Sequence, residues 1–199
     1  LSSRLAALHL LSQILGSKKM IDVAFDGDRA FEALPQRDRG FVRMLVTTVL
    51  RRRGQLDDLI ARALNKGEIP RPDTLKYILY IGICQILFMD VADHAAVDTS
   101  VELADRYNMD GKKGFVNAIL RRMTSDGRAW AAEQDVASLN MPDWLYTQWV
   151  NDYGAVRAKD IALASLTEAS LDISVKNKGQ KNDIAGRLDA LVLPTGTLR

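Results

Sequence analysis

The stretch Leu75-Lys76-Tyr77-Ile78-Leu79-Tyr80-Ile81-Gly82-Ile83-Cys84-Gln85-Ile86-Leu87-Phe88-Met89 decides the fold class. It is 15 residues long and interrupted only by Lys76, Gly82 and Gln85. A membrane span needs about 20 apolar residues, so the run reads as a helix enclosed by other helices. Pro70 and Pro72 bracket its start. Cys84, in its middle, reads as a small core residue.

Outward from this run the apolar residues recur at three- and four-residue steps. Toward the N-terminus, Leu5, Leu8, Leu11 and Leu15 mark a helix over 3–15, ended by Gly16-Ser17. Ile21, Val23, Ala24 and Phe25 form a short apolar patch before Asp26-Gly27-Asp28. A helix is predicted from Pro35 toward Arg51–Arg53, with Gly54 as its stop and Phe41, Val42, Leu45, Val46, Val49 and Leu50 as its stripe. Arg39 and Arg43 fall at the edge of that stripe and Arg51 clear of it. Arg52 and Arg53 fall inside it, so either the helix has ended there or their stems lie over apolar surface. Leu56, Leu59, Ile60 and Leu64 continue as a shorter helix that Asn65-Lys66-Gly67 ends. Toward the C-terminus, Asp93 is the expected N-cap of a helix with His94, Val97, Val101 and Ala104 on one stripe. Gly111 and Gly114 flank the start of another, which carries Phe115, Val116, Ile119, Leu120 and Met123.

Residues 1–125 therefore read as an all-α globule, six or seven short amphipathic helices around one hydrophobic helix. Residues 124–140 are polar and alanine-rich, expected as a linker or irregular crossover. Pro142 opens a helix through Trp144, Leu145, Trp149 and Val150, and another runs from Val156 to Thr167. The period then changes. Leu171-Asp172-Ile173-Ser174-Val175-Lys176 alternates as a strand does, Asn177–Gln180 turns, Ile184–Leu191 is helical, and Val192-Leu193 is a second short strand. Two strands and a helix are too little to bury their own sheet faces, so the chain is expected to stop inside a small α/β subdomain. The expected domains are thus 1–125, 126–168 and 169–199, a mainly α chain overall.

The 199 residues are 47% hydrophobic and 26% charged, which excludes wholesale disorder and low-complexity architectures. One cysteine excludes an internal disulfide and any multi-cysteine metal site, and a reducing, cytoplasmic setting is the default. The chain opens Leu1-Ser2-Ser3 with no export signal, and is expected to lack its native start. The net charge of +2 conceals an asymmetry: residues 1–125 hold 19 Lys/Arg against 15 Asp/Glu, residues 126–199 hold 8 against 10. Six arginines, Arg37, Arg39, Arg43, Arg51, Arg52 and Arg53, face the single acid Asp38. Lys112, Lys113, Arg121 and Arg122 have no acid within their span. Such clusters attract phosphate-bearing partners, and the plainer alternative is two solvated helix faces.

Catalytic constellations are missing. His9 and His94 are far apart, and His94, at the head of an apolar stripe, reads as a satisfied structural histidine. Gly111-Lys112-Lys113-Gly114 lacks the strand-to-helix setting and spacing of a phosphate loop. No carboxylate pair, activated cysteine or metal-ligand set is legible. Aromatic residues, 7% of the chain, are not interleaved with the basic ones, so if RNA binds, backbone and shape contacts are expected to dominate in residues 1–125 rather than a base-stacking sheet.

Asp93-His94-Ala95-Ala96-Val97-Asp98-Thr99-Ser100-Val101-Glu102-Leu103-Ala104 and Gly114-Phe115-Val116-Asn117-Ala118-Ile119-Leu120-Arg121-Arg122 resemble the NusB superfamily. That is an all-helical RNA-binding fold known from transcription antitermination, and it also forms the N-terminal domain of the Sun/Fmu (RsmB) family of small-subunit rRNA cytosine-5 methyltransferases. Arg37-Asp38-Arg39-Gly40-Phe41-Val42 and Val49-Leu50-Arg51-Arg52 are similar to the methyltransferase version. So are Pro142-Asp143-Trp144-Leu145, Leu171–Lys176 and Leu193–Arg199, which look like the linker and small subdomain preceding its catalytic domain. The resemblance implies S-adenosylmethionine as the parent's cofactor, small-subunit ribosomal RNA as partner, and contact with a catalytic domain absent from these residues. It implies neither membrane nor metal. The family's Gly-rich donor loop, Pro-Cys pair and second catalytic cysteine do not occur here, so this chain alone is expected to be inactive. The residues expected to hold RNA are Arg37, Arg39, Arg43, Arg51, Arg52, Arg53, Lys112, Lys113, Arg121 and Arg122. The competing expectations are a stand-alone NusB-like antitermination factor binding RNA and a protein partner, and a helical interaction module whose arginines are only solvated.

Overall fold

The computed structural model describes residues 1–64, 68–69, 71–107 and 110–199. The expected stop at Asn65-Lys66-Gly67, and Pro70, lie outside the described residues. The chain divides into two compact units, Leu1–Leu166 and Thr167–Arg199.

The larger unit is built on the apolar run. It forms α6 (Asp73–Phe88), in which eleven residues, among them Leu75, Ile78, Leu79, Ile81, Ile83 and Cys84, are buried. Burying each Leu or Ile side chain contributes roughly 1.5–3 kcal/mol, which is why an almost uniformly apolar helix takes the centre. Its neighbours are α1 (Ser2–Leu11), α4 (Gln36–Arg51), α5 (Arg53–Ala63), α7 (Asp93–Arg106) and α8 (Lys113–Ser125), each turning an apolar stripe onto it. Gly82 sets how closely they approach. A Cβ there would stand 2.7 Å from both methyls of Leu120 on α8 and 2.9 Å from Ser100 Oγ on α7.

Past Leu11 the first helix widens into a π-helical turn, Ser12–Gly16, and α2 (Ile21–Asp26) and α3 (Arg29–Glu32) follow. The buried Asp28 carboxylate caps α3, accepting from Phe31 N–H at 2.8 Å, and takes His9 Nδ1 at 2.6 Å and Gln13 Nε2 at 3.1 Å.

Several local expectations give way to tertiary packing. Gly54 does not stop a helix, because α4 ends at Arg51 and Gly54 is the second residue of α5. Asp93 is the first residue of α7 rather than its cap, which is Ala92. Its carboxylate is held in a fork by Arg128 at 3.0 and 3.2 Å. His94 is exposed, not a core histidine, because the first turn of α7 projects beyond the packed stripe. Residues 124–140 are not irregular: the end of α8, α9 (Gly127–Ala132) and α10 (Val136–Asn140) fill them. Small alanines let these short helices lie against the globule, Ala137 being fully buried. The unit closes with α11 (Asp143–Tyr153) and α12 (Ala155–Ala164), packed on each other, with Trp144 73% exposed. No helix among the described residues is long and apolar enough to cross a membrane.

In the smaller unit, α13 (Lys181–Leu188) is preceded by a 3-10 turn that Asn177 caps. The two expected strands appear as extended segments joined only by isolated antiparallel bridges, Ile173 to Leu198 and Val192 to Leu198. The partner of both is Thr197-Leu198-Arg199, which carries no alternating pattern of its own. Leu191 and Arg199 exchange backbone hydrogen bonds at 2.7 and 2.9 Å, Leu193 N–H donates to Thr197 at 2.9 Å, and Pro194-Thr195-Gly196 is the three-residue loop between them. Arg199 clamps Asp172 through two hydrogen bonds, which hold that carboxyl below its ordinary pKa.

Candidate nucleic-acid interface

The six arginines between residues 37 and 53 share one helix and the corner after it, but not one fate. Arg37, Arg39, Arg43 and Arg53 are exposed and Arg51 is half-buried. None of these five makes an ion pair among the described residues. Arg43 is steadied by aromatic faces instead, its guanidinium 4.4 Å from the Phe25 ring centre and 5.9 Å from that of Phe31. Arg52 turns inward. Its guanidinium lies 4.5 Å over the Phe88 ring and donates to Gln55 Oε1 at 2.9 Å. Burial lowers its pKa, though far from any range where it would discharge. For Arg52 both sequence alternatives hold at once, since α4 has ended and the side chain lies over apolar surface; Arg53, which opens α5, is exposed.

Behind the corner stands a polar network that links residues some 80 positions apart. Gln55, 1% exposed, donates through Nε2 to Gln134 Oε1 at 2.9 Å and accepts from Asn140 Nδ2 at 3.1 Å. Its backbone N–H donates to Asn140 Oδ1 at 3.1 Å, and its carbonyl accepts from Gln134 at 3.0 Å. Gln134 also reaches Asp58 at 2.8 Å, and Arg62 ties Asp58 to Glu133 at 2.9 Å on each side. Gly54 makes room for this, since a Cβ there would stand only 1.6 Å from the Leu139 carbonyl oxygen. Every polar group in the network finds a partner, as burial demands.

The second basic cluster is differently disposed. Lys113 pairs with Asp105 of α7 at 2.7 Å. Arg122 donates to the Ala63 carbonyl at 2.9 Å, lies 5.1 Å from the Trp130 ring centre and sits 3.8 Å from Asp126. Arg121 is exposed and donates to Asn117 at 3.1 Å, while Lys112 is half-buried. Helices α4 and α8 both pack on α6.

One cation escaped the sequence analysis. Arg4 on α1 donates to Gln85 Oε1 at 2.9 Å and lies 4.9 Å over the Phe41 ring. With Arg37, Asp38, Pro35, Ser3 and Phe41 it lines a groove of about 420 Å³. The available signal was a charge on an apolar helix matched by a glutamine inside the apolar run, and no spacing rule joins them.

A model of the NusB family matches residues 1–125. The chain belongs to the NusB family. Its NusB-like part covers α1 to α8 and so includes both basic clusters. "Probable ribosomal RNA small subunit methyltransferase B" of Synechocystis sp. is 29% identical over 203 residues, covering 98% of this chain and 46% of the relative. Ribosomal RNA small subunit methyltransferase B of Thermus thermophilus is 37% identical over 122 residues, 61% of this chain and 29% of the relative. Transcription antitermination protein NusB of Nostoc punctiforme is 37% identical over 87 residues, 43% of this chain and 41% of the relative. The chain thus spans less than half the length of these curated relatives.

Residues 1–199 do not fit a methyl donor site of the kind the methyltransferase resemblance implies. They contain no Gly-rich donor loop, and their single cysteine is enclosed in α6. Burial pushes the Cys84 thiol up to about 12, the reverse of what a nucleophile needs. Among the described residues, no group of three or more His, Cys, Asp or Glu could hold a metal ion.

Proposed function

We propose that this chain is the RNA-binding N-terminal region of an S-adenosylmethionine-dependent small-subunit rRNA (cytosine-5) methyltransferase. In this role residues 1–125 grip structured RNA, residues 126–168 connect, and residues 169–199 begin a small α/β subdomain leading to the catalytic domain. The observation that carries it is the row of five arginines, Arg37, Arg39, Arg43, Arg51 and Arg53, with no ion-pair partner among the described residues of a NusB-family domain. Guanidinium forks suit phosphate oxygens, and counterion release on binding supplies affinity without reading sequence. Arg52 and Arg122 support the grip from within, and Lys112, Lys113 and Arg121 form a weaker second contact. The cofactor, the methyl transfer and a reducing cytoplasmic setting belong to the parent protein.

A stand-alone antitermination factor is the second possibility. Against it stands the reach of the likeness: the Synechocystis methyltransferase aligns with 98% of this chain, the Nostoc NusB with 43%.

The test is a fluorescence-anisotropy titration of the chain with a small-subunit rRNA fragment over a series of salt concentrations. A steep fall in affinity with salt, flattened when Arg37, Arg39, Arg51 and Arg53 are replaced by Ala, is the expected result. Retention of full affinity by that variant rejects these residues as the grip, and no binding at low salt rejects the function.

A further inference from the structure

Beside the arginine corner lies a pocket that shares only Arg53 with the phosphate grip. It has a volume of about 240 Å³ and is lined by Leu15, Arg53, Asp73, Lys76, Tyr77 and Tyr80. Three elements meet there: the end of the π-helical turn, the first residue of α5 and the first two turns of α6.

The two tyrosines differ in what their hydroxyls meet. Tyr80 is satisfied, its hydroxyl donating to Asp57 at 2.5 Å while Lys76 pairs with the same carboxylate at 2.6 Å. Tyr77 is only 9% exposed, yet its hydroxyl has no hydrogen-bond partner among the described residues. Among the described residues no side-chain oxygen or nitrogen is both sealed from solvent and unpartnered, so this hydroxyl keeps access to water, and Tyr77 lines the pocket. Asp73 and Arg53 both act on it, the carboxylate pushing its pKa up beyond the effect of burial and the guanidinium drawing it back.

The lining therefore offers a cationic donor at Arg53, an acceptor at Asp73, a hydroxyl that can do either, and an apolar wall of Leu15 and two phenol rings, with Lys76 beside them already paired with Asp57. A bare phosphate does not suit it, because Asp73 would repel the anion. An alkyl group would leave the polar atoms unpaired. A paired stem is far too wide. A flat heterocycle with donors and acceptors on its edge suits all of these groups, and RNA-binding proteins take bases this way when they are unpaired.

Building on the RNA-binding function above, we propose that the pocket framed by Arg53, Asp73 and Tyr77 receives one unpaired nucleobase of the RNA whose backbone lies on Arg51 and Arg53. Phosphate contacts at the corner position the strand, and the pocket adds a preference for a bulged or looped nucleotide.

The experiment uses the whole chain and two hairpin RNAs that differ by a single bulged 2-aminopurine. Anisotropy should show the bulged hairpin bound about tenfold more tightly than the paired one, with 2-aminopurine fluorescence falling on binding. Tyr77→Phe keeps the ring in the core and removes the hydroxyl, and should cut the preference about fivefold. Asp73→Asn, at an exposed position, serves as the second variant and should lower the preference in the same direction. Equal affinity for the two hairpins, or an undiminished preference in both variants, overturns the pocket while leaving RNA binding intact. Failure to bind either hairpin at low salt overturns the RNA-binding function and the pocket together.

Discussion

The corner between α4 and α5 and the helix α8 carry similar densities of positive charge in sequence, yet they present it differently. At the corner, none of the six guanidiniums forms an ion pair among the described residues, and one, Arg52, is spent on Phe88 and Gln55. On α8, Lys113 is paired with Asp105 and Arg122 is bound to the Ala63 carbonyl beside Trp130. The difference comes from the neighbours. Helix α7 brings Asp98, Glu102 and Asp105 to the edge of α8, where they line a groove with Lys113 and Asn117. Beside α4 stand α1 to α3, whose Phe25 and Phe31 meet Arg43 and whose buried carboxylate, Asp28, is already taken. Cations that find an acid, an amide or a backbone carbonyl become structure; Arg43, held by aromatic faces alone, remains available.

The comparison can be broken most forcefully at the corner. Replacing Arg37, Arg39, Arg51 and Arg53 together by Ala should weaken binding to an rRNA fragment on the order of 100-fold or more at low salt. The slope of log affinity against log salt should flatten by about 3, as expected for four lost phosphate contacts. If the matching change of Lys112, Lys113, Arg121 and Arg122 costs as much, the contrast between the clusters is wrong.

Next in size is Gly54→Ala. Its Cβ would meet the Leu139 carbonyl at 1.6 Å, and backbone cannot swing aside as a side chain can. The expected loss is about 2–3 kcal/mol in a urea melt, with RNA affinity reduced because α10 no longer braces the corner. A melt unchanged from the parent would mean that α10 is not held there.

Arg122→Ala separates packing from binding. Losing the bond to Ala63 and the Trp130 face should cost about 1–2 kcal/mol of stability and leave the salt slope nearly unchanged. The reverse pattern, normal stability with a flattened slope, would move Arg122 to the RNA side. Smallest is Lys113→Ala, which removes a half-exposed ion pair worth no more than about 1 kcal/mol. Double-mutant cycles with Asp105→Ala measure that coupling directly.

Much of the fold could be read without coordinates. The apolar run that becomes α6, the stripes of α4, α5, α7 and α8, and the helix after Pro142 are local patterns, because a helix repeats its buried face within four residues. The pattern failed where neighbours overrode it: Gly54 inside a helix, Asp93 bound to Arg128, His94 in solvent, and a crossover that is helical. The smaller unit failed differently. The Leu171–Lys176 alternation pointed to extended chain, but its partner Leu198 lies 25 residues away in a segment with no strand signature.

The candidate site was legible in outline and not in its working parts. Sequence by itself determined that a helical chain with a basic stretch at Arg37–Arg53 would form around Leu75–Met89, since hydrophobic period and charge density are properties of adjacent residues. Only the tertiary structure decided which cations stay on offer. The partners that matter lie far away in sequence: Phe88 for Arg52, Ala63 and Trp130 for Arg122, Gln85 for Arg4, Asn140 for Gln55. A charge is available or consumed according to what folding brings against it, and no local pattern records that.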